Sequence, residues 1–313
     1  MRPSTAAALA AEAGVLPPQG GWEQTLQLDG PSNLTVYLSK VAATYPFFRS
    51  PAHIARIACE AVEDAAADGT DYLELRFGPA THVHFGFKMD SVIAAVCDGV
   101  SEGMNRTHIN AGVVIAALRH HDTETNVDVA RAASRFAGKG IVGFDLAGDE
   151  SLFNDLARYE KPFAIARAAG LGLTCHAAEA APGSAAREAV ERFGVSRIGH
   201  GAHLAEDDES LRWVRDHGIV VECCPTSNWF TGAIARRSEH PARYFRGQNL
   251  KIVLGDDNPI QTRSLLSNER RVLVDELGFN EQDLNALDNA SIYAAFVEDS
   301  IRQDSISRIN EKS

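Results

Sequence analysis

Three observations predict an α/β fold of the TIM (β/α)8 barrel type. Short β-branched runs recur along the chain: DYLELRF at 71–77, AGVVIAAL at 111–118, GIVGFDLAG at 140–148, LGLTCHA at 171–177, VSRIGHG at 195–201, GIVVECC at 218–224 and LKIVLGD at 250–256. Between them the apolar residues follow helical spacing, as at Ile54, Ile57, Ala58, Ala61, Val62 and Ala65, or Leu152, Leu156, Tyr159, Phe163 and Ala166. The strands themselves are almost continuously apolar, which fits burial on both faces of a parallel sheet joined by right-handed crossovers. An open doubly wound sheet is the runner-up. It would favour a glycine-rich phosphate loop after its first strand, and neither GxGxxG nor GxxxxGK[ST] occurs. The 313 residues are therefore read as one barrel domain, 1–313.

Taken in order, the chain opens on a helical segment, STAAALAAEAG at 4–14, stopped at Gly14 and followed by the turn LPPQGG. A long helix is expected near 51–67. A closed barrel of this type has eight strands, and the runs above supply seven. The missing one should precede DYLELRF. The sole candidate there, WEQTLQL at 22–28, is polar and weakly β-forming. After residue 260 the pattern is helical again, and LLSNERRVLVDELG and ASIYAAFVEDSI are expected to close the barrel on its outside.

Composition narrows the partners. The formal net charge of -12 argues against a nucleic-acid or anionic-membrane surface, leaving a small molecule as the expected partner. No apolar run approaches the roughly 18 residues of a membrane span, and no signal-peptide pattern opens the chain, so a soluble, cytoplasmic protein is expected. Cys59, Cys97, Cys175, Cys223 and Cys224 lie mostly in apolar segments without paired zinc-finger spacing, and are read as reduced core residues.

In TIM barrels the chemistry collects at the C-terminal ends of strands. The titratable residues placed there are Asp145, His176 with Glu179, His200, and the pair Asp256–Asp257. Metal hydrolases need imidazole and carboxylate ligands converging on one ion beside an acid or base. His176 and Asp256 suit ligation, Glu179 suits proton transfer, and His200 and Asp257 suit orienting or deprotonating a water. Each has a plainer reading: a hydrogen-bonded core histidine, or a helix cap for Asp256–Asp257. Their recurrence at successive strand ends favours a site. His82 and His84 fall in the loop beyond RFGPAT, and His120–His121 at the barrel mouth has no further support. His53, His108, His203, His217 and His240 are read as solvated surface, and Cys223–Cys224 as strand packing.

Together, YLELRFGP, GFDLAGDE, HAAE, RIGHG, CPTSNWFTGA and GDDNP resemble, in order and spacing, the adenosine deaminase family of metal-dependent amidohydrolases. The similarity runs from about Arg2 to the C-terminus. It implies an eight-stranded barrel holding one zinc ion and hydrolytic loss of ammonia from an aminopurine nucleoside. Carried over by position, it implies zinc ligation by His176 and Asp256, protonation of the purine ring by Glu179, positioning and deprotonation of the zinc-bound water by His200, and hydrogen bonding of the water and base by Asp257. Gly148, Asp145 and Asp257 would contact the substrate, with the Gly148 N–H holding the purine. No lysine ends the DLAG strand, which implies a mononuclear site.

The departure lies at the N-terminus. The family's first strand carries HxHLDG, whose two histidines complete the zinc site, whereas the first histidine here is His53, in a predicted helix. LDG at 28–30 is a decoy: RPSTAAALAAEAG at 2–14 matches the segment that follows the real motif, so the sequence is expected to begin just after the HxH strand. Three readings stand: a shortened form of a complete deaminase, an enzyme of altered, metal-independent chemistry on a purine-like ligand, or a non-catalytic purine-binding pseudoenzyme. With two ligands in place of the usual three, the chain as written is expected to bind zinc poorly or to use no cofactor. A missing strand would also expose the sheet edges on either side, unless they pair directly or are covered by WEQTLQL, another segment or a second subunit, as in a homo-oligomer.

Overall fold

The computed structural model describes residues 1–312, with the side chains of His84, Phe85 and 308–312 outside the description. Seven parallel strands follow one another in a single sheet of order β1 to β7: Tyr72–Phe77, Asn110–Leu118, Ile141–Ala147, Gly172–Ala177, Arg197–His200, Val220–Cys223 and Lys251–Leu254. All seven coincide with the runs read from the sequence. Among the described residues fifteen α-helices accompany them: α1 (Pro3–Glu12), α2 (Gly21–Leu26), α3 (Leu34–Ala42), α4 (Pro51–Ala67), α5 (Met89–Thr107), α6 (Thr123–Arg135), α7 (Glu160–Ala168), α8 (Ser184–Phe193), α9 (Asp208–Asp216), α10 (Pro225–Phe230), α11 (Ala242–Gly247), α12 (Pro259–Thr262), α13 (Leu266–Asp275), α14 (Glu281–Ala294) and α15 (Asp299–Lys312). The result is a curled α/β half-barrel, a TIM-type fold lacking one strand.

WEQTLQL, the weak candidate for the missing strand, forms none. Its first five residues lie in α2, where Leu26 packs with Ala6, Leu9, Ala10, Phe47 and Ile57, and Trp22 meets Phe47 edge-on at 4.8 Å. That apolar anchoring overrides the weak β preference, so the segment adds no ladder to the sheet. Among the described residues β1 pairs only with β2, and β7 only with β6. Burial follows: β1 is half-buried throughout and β7 has an exposed first residue, whereas β5 is buried at every position.

An open sheet must be held curled by something other than a closing ladder. Here an ionic layer crosses the interior. The alternate residues Glu74 and Arg76 of β1 both engage it, as period-two geometry allows. Arg76 Nη2 donates to Glu222 Oε2 at 2.8 Å and Arg197 Nη2 to Glu74 Oε2 at 2.6 Å, while Arg197 Nε lies 2.7 Å from Glu222 Oε1. Burial pushes the Glu222 carboxyl up, but Arg76 and then Arg197 outweigh it and hold its pKa at about 2. β1 is thus tied to β5 and β6 across the barrel.

The C-terminal segment enters the barrel rather than only covering its outside. The helix expected through ASIYAAFVEDSI breaks after Ala294, where Ala295 turns extended (ψ 140°). Phe296 then fills the space left by the paired glycines Gly143 and Gly172, whose absent Cβ atoms would stand 2.6 and 2.2 Å from its ring. The guanidinium of Arg197 stacks over that ring at 3.6 Å. Leu152 also departs from its helical reading: it lies in a turn and is 63% exposed.

Candidate active site

Glu179, His200 and their neighbours come together where β4, β5 and β6 end. Beyond His176 the chain turns sharply, with Ala178 at a φ of 56°, in the left-handed region. The turn is stabilised by Glu150, whose carboxylate accepts the backbone N–H groups of Ala178, Glu179 and Ala180, each at 3.0 Å. Behind it Arg119, fully buried, donates to His176 O at 2.7 Å and Phe153 O at 2.8 Å, and places Nη2 3.7 Å from Glu150. A buried cation persists only when paired and hydrogen-bonded, as this one is.

Glu179 Oε1 accepts from Thr231 Oγ1 at 3.0 Å and Asn228 Nδ2 at 3.4 Å, and lies 3.7 Å from His200 Nδ1. Asn228, on α10, also places Nδ2 3.1 Å from His200 Nδ1, and its Oδ1 lies 3.2 Å from His240 Nε2. His240 is therefore not the solvated surface residue expected from the sequence: it is buried against the site, because the segment after α10 folds back over the strand ends. Burial, and then the charge of His200, push its pKa down to about 3.

The second half of the site runs from β3 and β4 to the open edge after β7. His176 Nδ1 stands 2.9 Å from Asp145 Oδ2, and Arg76 Nη1 stands 3.4 Å from both. Burial would raise the Asp145 carboxyl, but the charge of Arg76 and then His176 hold it well below the usual carboxylate range. The His176 imidazole is shifted the other way, upward, Asp145 outweighing the opposing burial. Asp145 thus lies buried beside His176, where it can orient the ring. Asp256 is half-buried after β7; burial first, and then the charge on Asp257, raise its pKa to about 7. Asp257, at a φ of 57°, accepts from Ser227 Oγ (2.6 Å), Tyr37 Oη of α3 (2.9 Å) and Asn258 Nδ2 (2.8 Å). Neither aspartate caps a helix, since the N-cap of α12 is Asn258.

These residues do not by themselves fit a catalytic zinc. Such sites take three protein ligands, and the described residues contain no group of three His, Cys, Asp or Glu side chains able to hold a metal. The Nδ1 face of His176 is turned to Asp145 and Arg76, so a cation already neighbours that side.

The remaining positions sort quickly. Gly148 has a φ of 111°, and a Cβ there would stand 3.3 Å from Arg119 N, so only glycine suits the turn. Beside it Asp149 accepts from Thr35 of α3 at 2.6 Å; with the Tyr37–Asp257 bond, α3 spans the mouth. His82 is buried against Phe48, Tyr45 and Phe77, and the side chain of His84 lies outside the described residues. His120 and His121 pack together at 4.3 Å after β2. The five cysteines are free thiols, all buried except the half-buried Cys97. No described helix is long and apolar enough to cross a membrane.

Sequence reading missed Arg119, Glu150, Asn228, Thr231 and His240. Three lie inside motifs already quoted, GFDLAGDE and CPTSNWFTGA, whose polar residues were a signal.

Known proteins resemble the chain over most of its length. The family model described as adenosine deaminase matches residues 1–312. The adenosine deaminase of Clostridium perfringens (strain ATCC 13124) is 30% identical over 272 residues, spanning 87% of this chain and 82% of that protein. A probable adenosine deaminase of Dictyostelium discoideum is 32% identical over 267 residues, 85% of this chain but only 34% of that longer protein. Among solved structures, adenine deaminase from Arthrobacter aurescens superposes with a TM-score of 0.90 at 22% identity, over 99% of this chain and 94% of its own. On the family model and the curated relatives, the chain belongs to the adenosine deaminase family of aminohydrolases.

Proposed function

We propose that the protein deaminates adenosine or a related 6-aminopurine nucleoside by hydrolysis. The observation that carries this is the buried Glu179 carboxylate, held on one oxygen by Thr231 and Asn228 and set beside His200. Such a carboxyl suits proton delivery to a ring nitrogen, which makes the adjacent amino-bearing carbon electrophilic. Water adds there and the C–N bond breaks, so aminopurine and water give oxopurine and ammonia. Gly148, at the strand-end turn beside Arg119, is the proposed backbone donor to the purine, and Asp257 the proposed partner of the water and base. Zinc would supply Lewis acidity in this family, but the residues here do not complete its site, and no step is assigned to it.

Ammonia release and the ultraviolet change of the base, followed with adenosine, deoxyadenosine, adenine and a modified aminopurine nucleoside, test the proposal with and without added zinc salt. Turnover of any of them is expected, and Glu179→Gln is expected to abolish it while leaving ligand binding, because the amide cannot deliver the proton. No turnover of any aminopurine under either condition would overturn the reading. The short ligand set favours the second reading, a purine-binding protein without catalysis, which equilibrium binding without product would support.

A further inference from the structure

We infer that Asn228 and His240 are positioning residues: His240, acting through the carboxamide of Asn228, fixes His200 as the tautomer that carries its proton on Nε2. The significance for turnover rests on the deamination proposed above; the tautomer itself does not.

The argument starts from the one group with no choice. The backbone N–H of Ala242 can only donate, and it lies 3.2 Å from His240 Nδ1. Nδ1 is therefore the bare nitrogen, and a neutral His240 carries its proton on Nε2. Nε2–H donates to Asn228 Oδ1 at 3.2 Å, which sets the amide NH2 on the opposite side, toward His200 Nδ1 at 3.1 Å and Glu179 Oε1 at 3.4 Å. The reverse amide would bring its oxygen against the Glu179 carboxylate and its NH2 against the N–H of His240, two repulsive contacts. Constraints from opposite ends of the amide thus agree on one orientation. An NH2 has two hydrogens, and here each has an acceptor. His200 Nδ1 accepts, so its proton resides on Nε2.

Glu179, His200, Asn228 and His240 are all buried, where a mismatched donor or acceptor is costly and the network holds as a unit. The low pKa of His240 keeps it in its neutral form through the physiological range. His200 consequently offers an N–H rather than a lone pair from the nitrogen not engaged by Asn228. That suits stabilising the entering oxygen and departs from the water-deprotonating role implied by family resemblance.

Long-range 1H–15N correlation spectra of the full chain labelled at histidine, with His200 assigned through His200→Gln, read the tautomer directly. The Nε2–H form is expected in the unaltered protein. Asn228→Asp, isosteric but without the NH2, should place a proton on Nδ1, and lower any turnover about 10²- to 10³-fold with KM changed less than about threefold. His240→Gln keeps an N–H near the original Nε2 and should preserve the tautomer; His240→Met, which has no donor, should lose it. If Asn228→Asp fails to fold, the Gln and Met pair carries the test. An Nδ1–H form in the unaltered protein, or an unchanged tautomer in both Asn228→Asp and His240→Met, would overturn the inference. The Nε2–H form in a protein that turns over no aminopurine would uphold it while removing the deaminase reading.

Discussion

The ends of β4, β5 and β6 and the open edges at β1 and β7 are built to different standards. On the first side the central charged groups have buried partners: Glu150 with three backbone N–H groups, Arg119 with two carbonyls, Glu179 with Thr231 and Asn228. On the second, Asp256 is half-buried after an edge strand and its pKa is raised to about 7, while β1 holds its place through ion pairs that cross the interior. The difference teaches that the proposed acid–base groups rest on neighbouring strands that are all present, whereas the proposed metal ligands divide between a fully paired strand, with His176, and an open edge, with Asp256.

The largest effect should come from dismantling the well-built side. Glu150→Ala leaves three backbone donors without their carboxylate and Arg119 as a buried cation short of its counter-charge. A loss of about 3–5 kcal/mol in unfolding free energy is expected, read from denaturant midpoints. A loss under about 1 kcal/mol would mean that the 178–180 turn is held by something else.

A smaller, reversible weakening should follow pH. His240 has a folded pKa of about 3 against an ordinary value near 6.5, so between these values the unfolded chain binds more protons than the folded one. Stability then falls as pH falls from about 6.5, by about 2 kcal/mol at pH 5. His240→Gln removes the titrating ring and should flatten that slope. An acid slope identical in the two proteins would assign it to other groups.

Much of this fold was legible. The seven strands stand where β-branched runs placed them, because a parallel sheet buried on both faces writes itself as continuous apolar sequence. The strand-end rule also brought out Asp145, His176, Glu179, His200, Asp256 and Asp257. What periodicity could not reveal are long-range partners. Nothing local distinguishes His240 from a surface histidine; its burial comes from the chain folding back over α10. Phe296 sits in a run of helical pattern, yet the hole left by Gly143 and Gly172 draws it into the barrel. WEQTLQL was weighed as a strand only because one was missing, and the apolar contacts of Leu26 and Trp22 make it helical.

The least disturbance is expected where the site is least built. Catalytic zinc takes three protein ligands and a water, while this chain offers His176 and Asp256. Asp256 must also lose a proton that its surroundings hold up to about pH 7, which weakens any metal further at neutral pH and less so above it. Added zinc in modest excess should therefore stabilise the chain by less than about 1 kcal/mol, and metal analysis after dialysis should find well under one equivalent. One tightly held zinc per chain, lost on Asp256→Asn, would reverse the comparison: the open edge would then be as well organised as the strands opposite, with a ligand that neither the motifs nor the strand ends disclose.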